Sequence, residues 1–289
     1  MIETCPACLG AGKLKYSEKI DLNLFNSTTY ASRKRPELMH YALFKCSNCK
    51  TLFTNRDVNL DELLKNYEEA GYDSALEANY AAESYVSLVR KYLPQFSGAV
   101  LDIGAGDGAF LSNAKKFFAQ KTVGIEPSNA ALAKNTDQEI TLIYGSFEKY
   151  AVSESFDMIT CFQTIEHLND PNTFLEKVKK HLRNNGYFVV TCHNNQSFVN
   201  KILGEKSPIF DVEHLQIFSK NGIEQLLKKS GFEIIVSRPY SNKYPLSYWA
   251  RLAPIPNYIK NRIENSVFFS RISLSINVGN HFIVAKIAF

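Results

Sequence analysis

The fold is decided by the stretch AVLDIGAGDGAF at residues 99–110, in which an apolar run ends in three glycines at alternate positions. The apolar run predicts a buried strand, and the residues after the last glycine predict the start of a helix. Glycine accepts positive φ angles and lets a ligand approach the backbone closely. A glycine turn at the carboxyl end of a parallel strand is therefore typical of a nucleotide-binding site.

An acidic residue follows this turn at the distance expected for a ribose ligand. Glu126 closes a second apolar run at residues 122–126, about 20 residues on, where dinucleotide-binding folds place an acid on the ribose hydroxyls. NAD sites typically show G-x-G-x-x-G. Here Asp102 stands two residues before the first glycine, which is awkward beside a pyrophosphate. S-adenosylmethionine has no phosphate and carries an amino group and a sulfonium, so it tolerates the acid better than NAD does.

The turn D-x-G-x-G-x-G at residues 102–108 resembles motif I of the class I S-adenosylmethionine-dependent methyltransferases. The resemblance implies an α/β fold with a doubly wound, seven-stranded, mostly parallel sheet whose final strand is inserted antiparallel. The alternation of strands and helices along the chain agrees, because such alternation predicts a parallel sheet. The predicted strands of this sheet are residues 99–103, 122–126, 140–145, 156–162, 186–192, 232–236 and 281–288.

The chain divides into three predicted segments. They are a zinc-ribbon module at residues 1–58, a helical connector at 59–96 and a methyltransferase domain at 97–289, which carries an aromatic insertion at 241–280. Tyr67 and Tyr72 of the connector either pack in the core or belong to a segment that covers the site in the resembling family. The insertion either covers the substrate or pairs two subunits in a homodimer.

Four cysteines form two C-x-x-C pairs, Cys5 with Cys8 and Cys46 with Cys49. Thiolates in two such turns can complete one closed tetrahedral site, so the pattern predicts a structural zinc ion. Disulfides are the alternative, which a cytosolic location disfavours. Residues 18–25 and 40–45 between the pairs predict strands of a small β ribbon. The ribbon has little apolar surface, and we expect the metal to supply much of its folding energy.

A second signature follows the fourth predicted strand of the domain. The run E-H-L-N-D-P at residues 166–171 resembles the members of the family that act on small molecules, lipids and quinones. His167 lies there at a strand end that faces the ligand crevice, and its ordinary pKa suits proton transfer. It is either the general base or a structural residue that holds the loop. His193 and His214, in the long segment that runs to about residue 218, are the other candidates for the base.

The resemblance also implies a set of cofactor-binding residues. These are Asp102, Gly104, Gly106, Gly108, Glu126, Ser146, Phe147 and Gln163. The acid and the three glycines of motif I are expected to hold the methionine end of S-adenosylmethionine, and Glu126 its ribose. Ser146 and Phe147 lie where the family binds the adenine, although Phe147 is equally compatible with a place in the core.

Length and charge narrow the class of protein. The chain has 289 residues, 45% of them hydrophobic, which is enough for one large domain and a small appendage. Its formal net charge is only +4, without an extended basic stripe, which disfavours nucleic acid as a partner. No apolar run approaches the roughly 20 residues of a membrane helix, and no signal peptide is evident. We therefore expect a cytoplasmic protein without a membrane partner.

These observations together predict a methyltransferase that acts on a small polar acceptor. The expected acceptor is a hydroxyl of a sugar or sugar-linked metabolite in carbohydrate biosynthesis, by analogy with zinc-bearing methyltransferases of sugar pathways. One alternative is an RNA base methyltransferase, which the small charge excess disfavours. The other is a non-catalytic partner subunit that keeps the fold, which cofactor binding without turnover would indicate.

Overall fold

The computed structural model describes residues 2–26, 29–31, 35–55, 60–71, 75–150 and 154–288. The strands are β1 (Ile2–Thr4), β2 (Ala11–Tyr16), β3 (Leu43–Cys46), β4 (Leu52–Phe53), β5 (Gly98–Ile103), β6 (Ala119–Glu126), β7 (Thr141–Tyr144), β8 (Phe156–Phe162), β9 (Leu182–His193), β10 (Gln216–Ile217), β11 (Phe232–Pro245) and β12 (Ser273–Ile287). The helices are α1 (Leu60–Glu69), α2 (Ala75–Tyr92), α3 (Ala109–Phe117), α4 (Asn129–Leu132), α5 (Pro171–His181), α6 (Phe198–Leu203), α7 (Lys220–Lys229), α8 (Leu246–Leu252), α9 (Asn257–Glu264) and α10 (Val267–Arg271).

The larger sheet has the strand order β11-β12-β9-β8-β5-β6-β7. Strand β12 runs antiparallel to both of its neighbours, whereas β5 to β9 are mutually parallel. Strand β5 is buried along its whole length, and successive residues face two different cores, Val100 one and Leu101 the other. Burial on both faces explains why the strand reads as a continuous apolar run. The predicted seven-stranded, doubly wound sheet is confirmed.

The smaller sheet is antiparallel and has the order β1-β2-β3-β4-β10. Its first four strands lie at the amino end of the chain, but β10 arrives from beyond β9 of the larger sheet. The two sheets are therefore joined by a strand that the sequence analysis did not predict. Tyr72, and the boundary predicted at residues 58 and 59, lie outside the described residues.

The strand predicted at residues 18–25 is wrong. The structure has a single 3₁₀ turn at Leu22–Leu24, whose amino end is capped by the carboxylate of Asp21, and only one bridge, between Lys19 and His40. Leu22 and Leu24 are both exposed, and only Ile20 and Phe25 of this segment pack against a core, so the alternating pattern does not correspond to a buried face. The strand predicted at 40–45 is shorter at its start and begins at Leu43.

Capping residues in the sequence predict the ends of two helices correctly. The Ser128 hydroxyl caps α4 by accepting from the backbone N–H of Ala131, and Gly231 follows α7 with a φ of +81°. None of the helices in these described segments is long and apolar enough to cross a bilayer.

The aromatic insertion starts later and ends earlier than predicted. Strands β11 and β12 stay paired from Asn242↔Ile276 to Pro245↔Ser273, so that residues 241–245 and 273–280 extend the hairpin of the sheet. Helices α8, α9 and α10 fill the remainder. The long hairpin thus carries these helices over the carboxyl edge of the sheet, because β11 runs in the same direction as the parallel strands.

Candidate active site

A cavity of about 1010 Å³ lies at the carboxyl ends of the parallel strands. Such a crevice is the usual ligand site of open α/β sheets. The predicted site residues that line it are Asp102, Gly104, Gly106, Glu126, Ser146, Phe147, Gln163, His167, His193 and His214. Gly108 does not line the cavity. It precedes α3 with a φ of +81°, and a Cβ there would clash with Ile140, so its role is to turn the chain into the helix.

The glycine turn and Glu126 form one hydrogen-bonded unit. One carboxylate oxygen of Glu126 accepts from the Gly106 N–H at 2.8 Å, and the other accepts from the Ser128 N–H at 2.8 Å. Gly104 and Gly106 have φ angles of +77° and +57°, which are accessible to glycine without strain. A carboxylate accepts about four hydrogen bonds, so each oxygen of Glu126 keeps capacity for a hydroxyl donor in the cavity.

Asp102 lies at the end of β5, below the glycine turn. Burial raises its pKa to about 7, although the Thr160 hydroxyl donates to its Oδ1 at 2.6 Å and opposes this shift. The protonation of a carboxyl group with such a pKa responds to a nearby cation, because a positive charge favours the ionised form. No sequence pattern marks Thr160 as the partner of Asp102, since it lies 58 residues away on the neighbouring strand β8.

Two buried polar atoms on the sheet side of the cavity have no hydrogen-bond partner among the described residues. They are the hydroxyl of Ser146 and Oε1 of Gln163. Gln163 also has a φ of +54°, a strained conformation for a residue other than glycine. Unsatisfied polar atoms and a strained backbone are both typical of ligand sites. Phe147, by contrast, packs with ring centroids 5.5 Å from Phe174, as part of the core.

His167 belongs to a short hydrogen-bonded chain. Its Nδ1 lies 2.7 Å from the Tyr67 hydroxyl and 3.5 Å from Oε2 of Glu213. The Tyr67 hydroxyl in turn donates to the backbone carbonyl of Glu213 at 3.5 Å. The contact with Nδ1 is the shorter of the two and therefore the stronger, and the tautomer of the imidazole sets which of its two atoms donates.

The other two histidines continue the row. The His214 ring lies 4.9 Å from that of His167 and 5.3 Å from that of His193. Nδ1 of His214 donates to the Ile209 carbonyl, and Nδ1 of His193 faces Oδ1 of Asn280 at 2.7 Å. Burial lowers the pKa of His193 to about 3, so this ring is neutral at physiological pH.

Glu166 helps to fix the row of histidines. It is completely buried, its Oε1 accepts from the backbone N–H of His193 at 2.7 Å, and burial raises its pKa to about 8. The residue next to His167 thereby fixes the position of His193, on the neighbouring strand. Sequence spacing gave no signal for this contact, nor for those of Tyr67 or Asn280 with the histidines.

The far wall of the cavity is apolar. It consists mainly of side chains from the β11–β12 hairpin and α8, namely Tyr244, Tyr248, Trp249, Leu252, Ile276 and Val278. Asn242 interrupts this wall. Its side chain is 9% exposed, and Oδ1 has no hydrogen-bond partner. The cavity therefore has a polar side at the sheet and an apolar side at the hairpin.

The four amino-terminal cysteines come together outside this cavity, and their four sulfurs lie within 4.8 Å of one another. Both C-x-x-C turns have the same backbone: Leu9 and Lys50, each directly after the second cysteine, have φ angles of +61° and +67°. Their N–H groups donate to the carbonyls of Cys5 and Cys46. The cysteines are free thiols rather than disulfides, and their arrangement can hold one metal ion.

Comparison with known proteins finds methyltransferases among the relatives of this chain. The family described as "methyltransferase domain" matches residues 76–237, more than half of the chain. The chain is 28% identical over 138 residues to the ubiquinone biosynthesis O-methyltransferase of Vibrio cholerae, covering 45% of this chain and 54% of that protein. It is 28% identical over 105 residues to the mitochondrial protein of that name from Schizosaccharomyces pombe, covering 33% and 38%. The chain thus spans about half or less of the length of these curated relatives.

Solved structures agree on the fold. The YcgJ protein of Bacillus subtilis has a TM-score of 0.50 at 17% identity, and the match covers 71% of this chain and 98% of that one. A protein from Bacillus halodurans has a TM-score of 0.52 at 15% identity, with coverage of 71% and 99%. With the family matched across β5 to β9 and the same sheet observed, the chain belongs to the methyltransferase-domain family and has the class I α/β fold.

Proposed function

We propose that the chain is an S-adenosylmethionine-dependent methyltransferase that acts on a hydroxyl group of a small molecule. The observation that carries the proposal is that one cavity has a glycine turn locked by Glu126 on its wall and a row of histidines beside it. S-adenosylmethionine, when bound, supplies a methyl group that is already activated on a sulfonium. The protein has to bind it, align the acceptor and accept a proton.

The residues of the sheet edge fit this cofactor. Glu126 would accept from the ribose hydroxyls, and Asp102, together with the turn at Gly104 and Gly106, would hold the cationic methionine end. The unpartnered oxygens of Ser146 and Gln163 are acceptors for the remaining donors of the cofactor. Phe147 faces the adenine in the family, and that contact stays a prediction.

We assign the role of general base to His167. When the methyl group passes to the acceptor oxygen, its bond to the sulfonium breaks and S-adenosylhomocysteine leaves as a neutral thioether, and the imidazole of His167 would take the hydroxyl proton. Glu213, 3.5 Å from Nδ1, stabilises the imidazolium that results. His193 is a poorer base, because burial holds its pKa near 3. His214 is the remaining candidate.

The walls of the cavity refine the acceptor that the sequence predicts, a hydroxyl of a sugar. The apolar wall that includes Tyr244, Trp249 and Ile276 suits a ring or an alkyl chain better than a body covered with hydroxyls. The curated relatives named above are O-methyltransferases of ubiquinone biosynthesis, whose name points to a quinone precursor rather than a sugar. We therefore propose a hydroxylated acceptor with an apolar body, and the sugar acceptor stays a prediction.

A panel of acceptors tests this function. Formation of S-adenosylhomocysteine from S-adenosylmethionine is measured with catechols and alkylated phenols, with nucleotide sugars, and with unmodified tRNA. We expect turnover with the phenolic set, because its rings fit the apolar wall. Turnover restricted to nucleotide sugars or tRNA contradicts the proposed acceptor, and cofactor binding without turnover on any of them indicates a non-catalytic subunit.

The cofactor site is tested by Glu126→Ala. The change removes the ribose acceptor and leaves the Gly106 and Ser128 N–H groups without their partner. Hydrogen bonds to a charged group contribute about 1.5–3 kcal/mol, so we expect roughly 10- to 150-fold weaker binding of S-adenosylmethionine by calorimetry. Glu139→Ala, at an exposed position, is the matched control. Parent-like affinity in Glu126→Ala, or tight binding of NADH, contradicts the assignment.

The base is tested by His167→Ala on the best acceptor of the panel. Loss of a general base is expected to lower turnover about 10²- to 10⁴-fold, while the dissociation constant for the cofactor changes less than about twofold. Glu139→Ala, at an exposed position outside the cavity, again serves as the control. A parallel loss of cofactor binding would mark His167 as a support of the loop, and full activity would transfer the role to His214.

We also propose that Cys5, Cys8, Cys46 and Cys49 hold a structural zinc ion. Cys5 Sγ is 3.6 Å from Cys49 Sγ, and Cys8 Sγ is 3.4 Å from Cys46 Sγ. Tetrahedral zinc with Zn–S bonds of about 2.3 Å places its sulfurs about 3.8 Å apart. These spacings support a closed site with four thiolate ligands.

Metal analysis of protein purified without added zinc tests this site. We expect about one zinc per chain, which Cys49→Ser lowers and Cys161→Ser leaves unchanged, because Cys161 is buried in β8 outside the cluster. Folded protein without metal, or with a disulfide between these cysteines, overturns the assignment.

A further inference from the structure

Strand β10 connects the cysteine module to the loop that carries His214. It pairs antiparallel with β4, Gln216 opposite Phe53 and Ile217 opposite Leu52. The pairing continues through the N–H of Thr54, which donates to the Leu215 carbonyl at 2.9 Å. The residue directly after His214 is therefore already bonded to the smaller sheet.

The loop after His193 is tied to the same place. The side-chain amide of Asn195 donates to the Lys50 carbonyl at 3.0 Å and to the Ile217 carbonyl at 2.7 Å. Its backbone N–H donates to the Phe218 carbonyl at 2.8 Å. The Ser219 hydroxyl donates to the Cys49 carbonyl. The second C-x-x-C turn thus anchors both ends of the segment between β9 and α7.

Gln216 of β10 also connects the smaller sheet to the loop that carries His167. Its Nε2 donates to the Leu168 carbonyl at 2.6 Å, and Leu168 follows His167 in the chain. Gln216 is 3% exposed and its Oε1 has no partner, so this one bond holds the side chain in a dry environment. A buried hydrogen bond of this kind constrains backbone position more tightly than an exposed one.

From these contacts we infer that Gln216 is a positioning residue for His167, and that the cysteine module is a structural part of the active site through β10. The inference rests on the proposed function, in which His167 takes the proton. His167 ends a 3₁₀ turn, His193 ends β9 and His214 lies in a loop, and catalysis requires such groups to be held to within about 0.5 Å. A two-residue strand of the smaller sheet supplies a common support for all three.

The test replaces Gln216 by methionine, which keeps the length of the side chain but cannot donate. Gln225→Met is the matched control, because its Nε2 donates only to exposed Asn221. Hydrogen exchange by mass spectrometry, which needs no acceptor, reports on the loop. In Gln216→Met, amide exchange at residues 164–170 is expected to rise at least tenfold, with the zinc content unchanged and S-adenosylmethionine affinity within about twofold.

An unchanged amide exchange rate at residues 164–170 overturns the inference. An equal rise of the exchange rate in β5 and β8 also overturns it, because such a rise indicates general destabilisation. If Gln216→Met does not fold, Asn195→Ser removes the tie to Lys50 while leaving Gln216 in place. In that variant the amide exchange rate at residues 209–218 is expected to rise tenfold. An unchanged exchange rate at these residues contradicts the inference as well.

Activity separates this inference from the proposed function. On the phenolic acceptor, Gln216→Met is expected to lower kcat about tenfold with little change in KM for the cofactor. The double variant Gln216→Met/His167→Ala is expected to be no slower than His167→Ala alone, because Gln216 acts through His167. A further tenfold loss in the double variant overturns the inference. Full activity of His167→Ala itself overturns the assigned base instead, without affecting the exchange result.

Discussion

The site depends on one pair of hydrogen bonds, those from the backbone N–H groups of Gly106 and Ser128 to the carboxylate of Glu126. The bonds join the ends of two adjacent parallel strands, β5 and β6, where the chain leaves the sheet and its backbone donors lose their ladder partners. The carboxylate satisfies these donors and faces the cavity at the same time. Removing it would loosen the turn as well as the ligand site, so the position couples fold and function.

The sequence predicts most of the larger sheet because its strands are either buried on both faces or bounded by turn residues. The E-H-L-N-D-P run and the glycine turn likewise predict which loops meet at the cavity. Other contacts had no local signal. Tyr67 and His167 are 100 residues apart, and β10 has only two residues, too few for a hydrophobic period. The wrongly predicted strand at residues 18–25 shows the opposite error, in which a hydrophobic period exists although Leu22 and Leu24 of that period are exposed.

Two buried acids, one on the wall of the cavity and one beside it, have raised pKa values. Asp102 and Glu166 both have raised pKa values because they are shielded from water, and each is held by a single hydrogen bond or two rather than by a cation. Glu166 keeps its proton at neutral pH, which lets it sit in the sheet between β8 and β9 without an ionic partner. Asp102 titrates near neutrality, so a cationic ligand shifts it to the carboxylate form. Two acids in similar burial are thereby suited to different tasks, one structural and one electrostatic.

The hairpin β11–β12 decides what kind of acceptor can reach the histidines. In its outer part, residues such as Tyr244 turn towards the cavity, and the helix α8 closes the wall with Trp249, whose indole N–H is already bonded to the Leu274 carbonyl. With that donor satisfied, the wall offers mainly aromatic and aliphatic surface, interrupted by Asn242 and by the hydroxyl groups of Tyr244 and Tyr248. A hydroxylated acceptor with an apolar body can bury that body here while its hydroxyl reaches the polar side. An acceptor that is polar all round would leave its own donors and acceptors unpaired against the same wall, at a cost of about 1–3 kcal/mol for each.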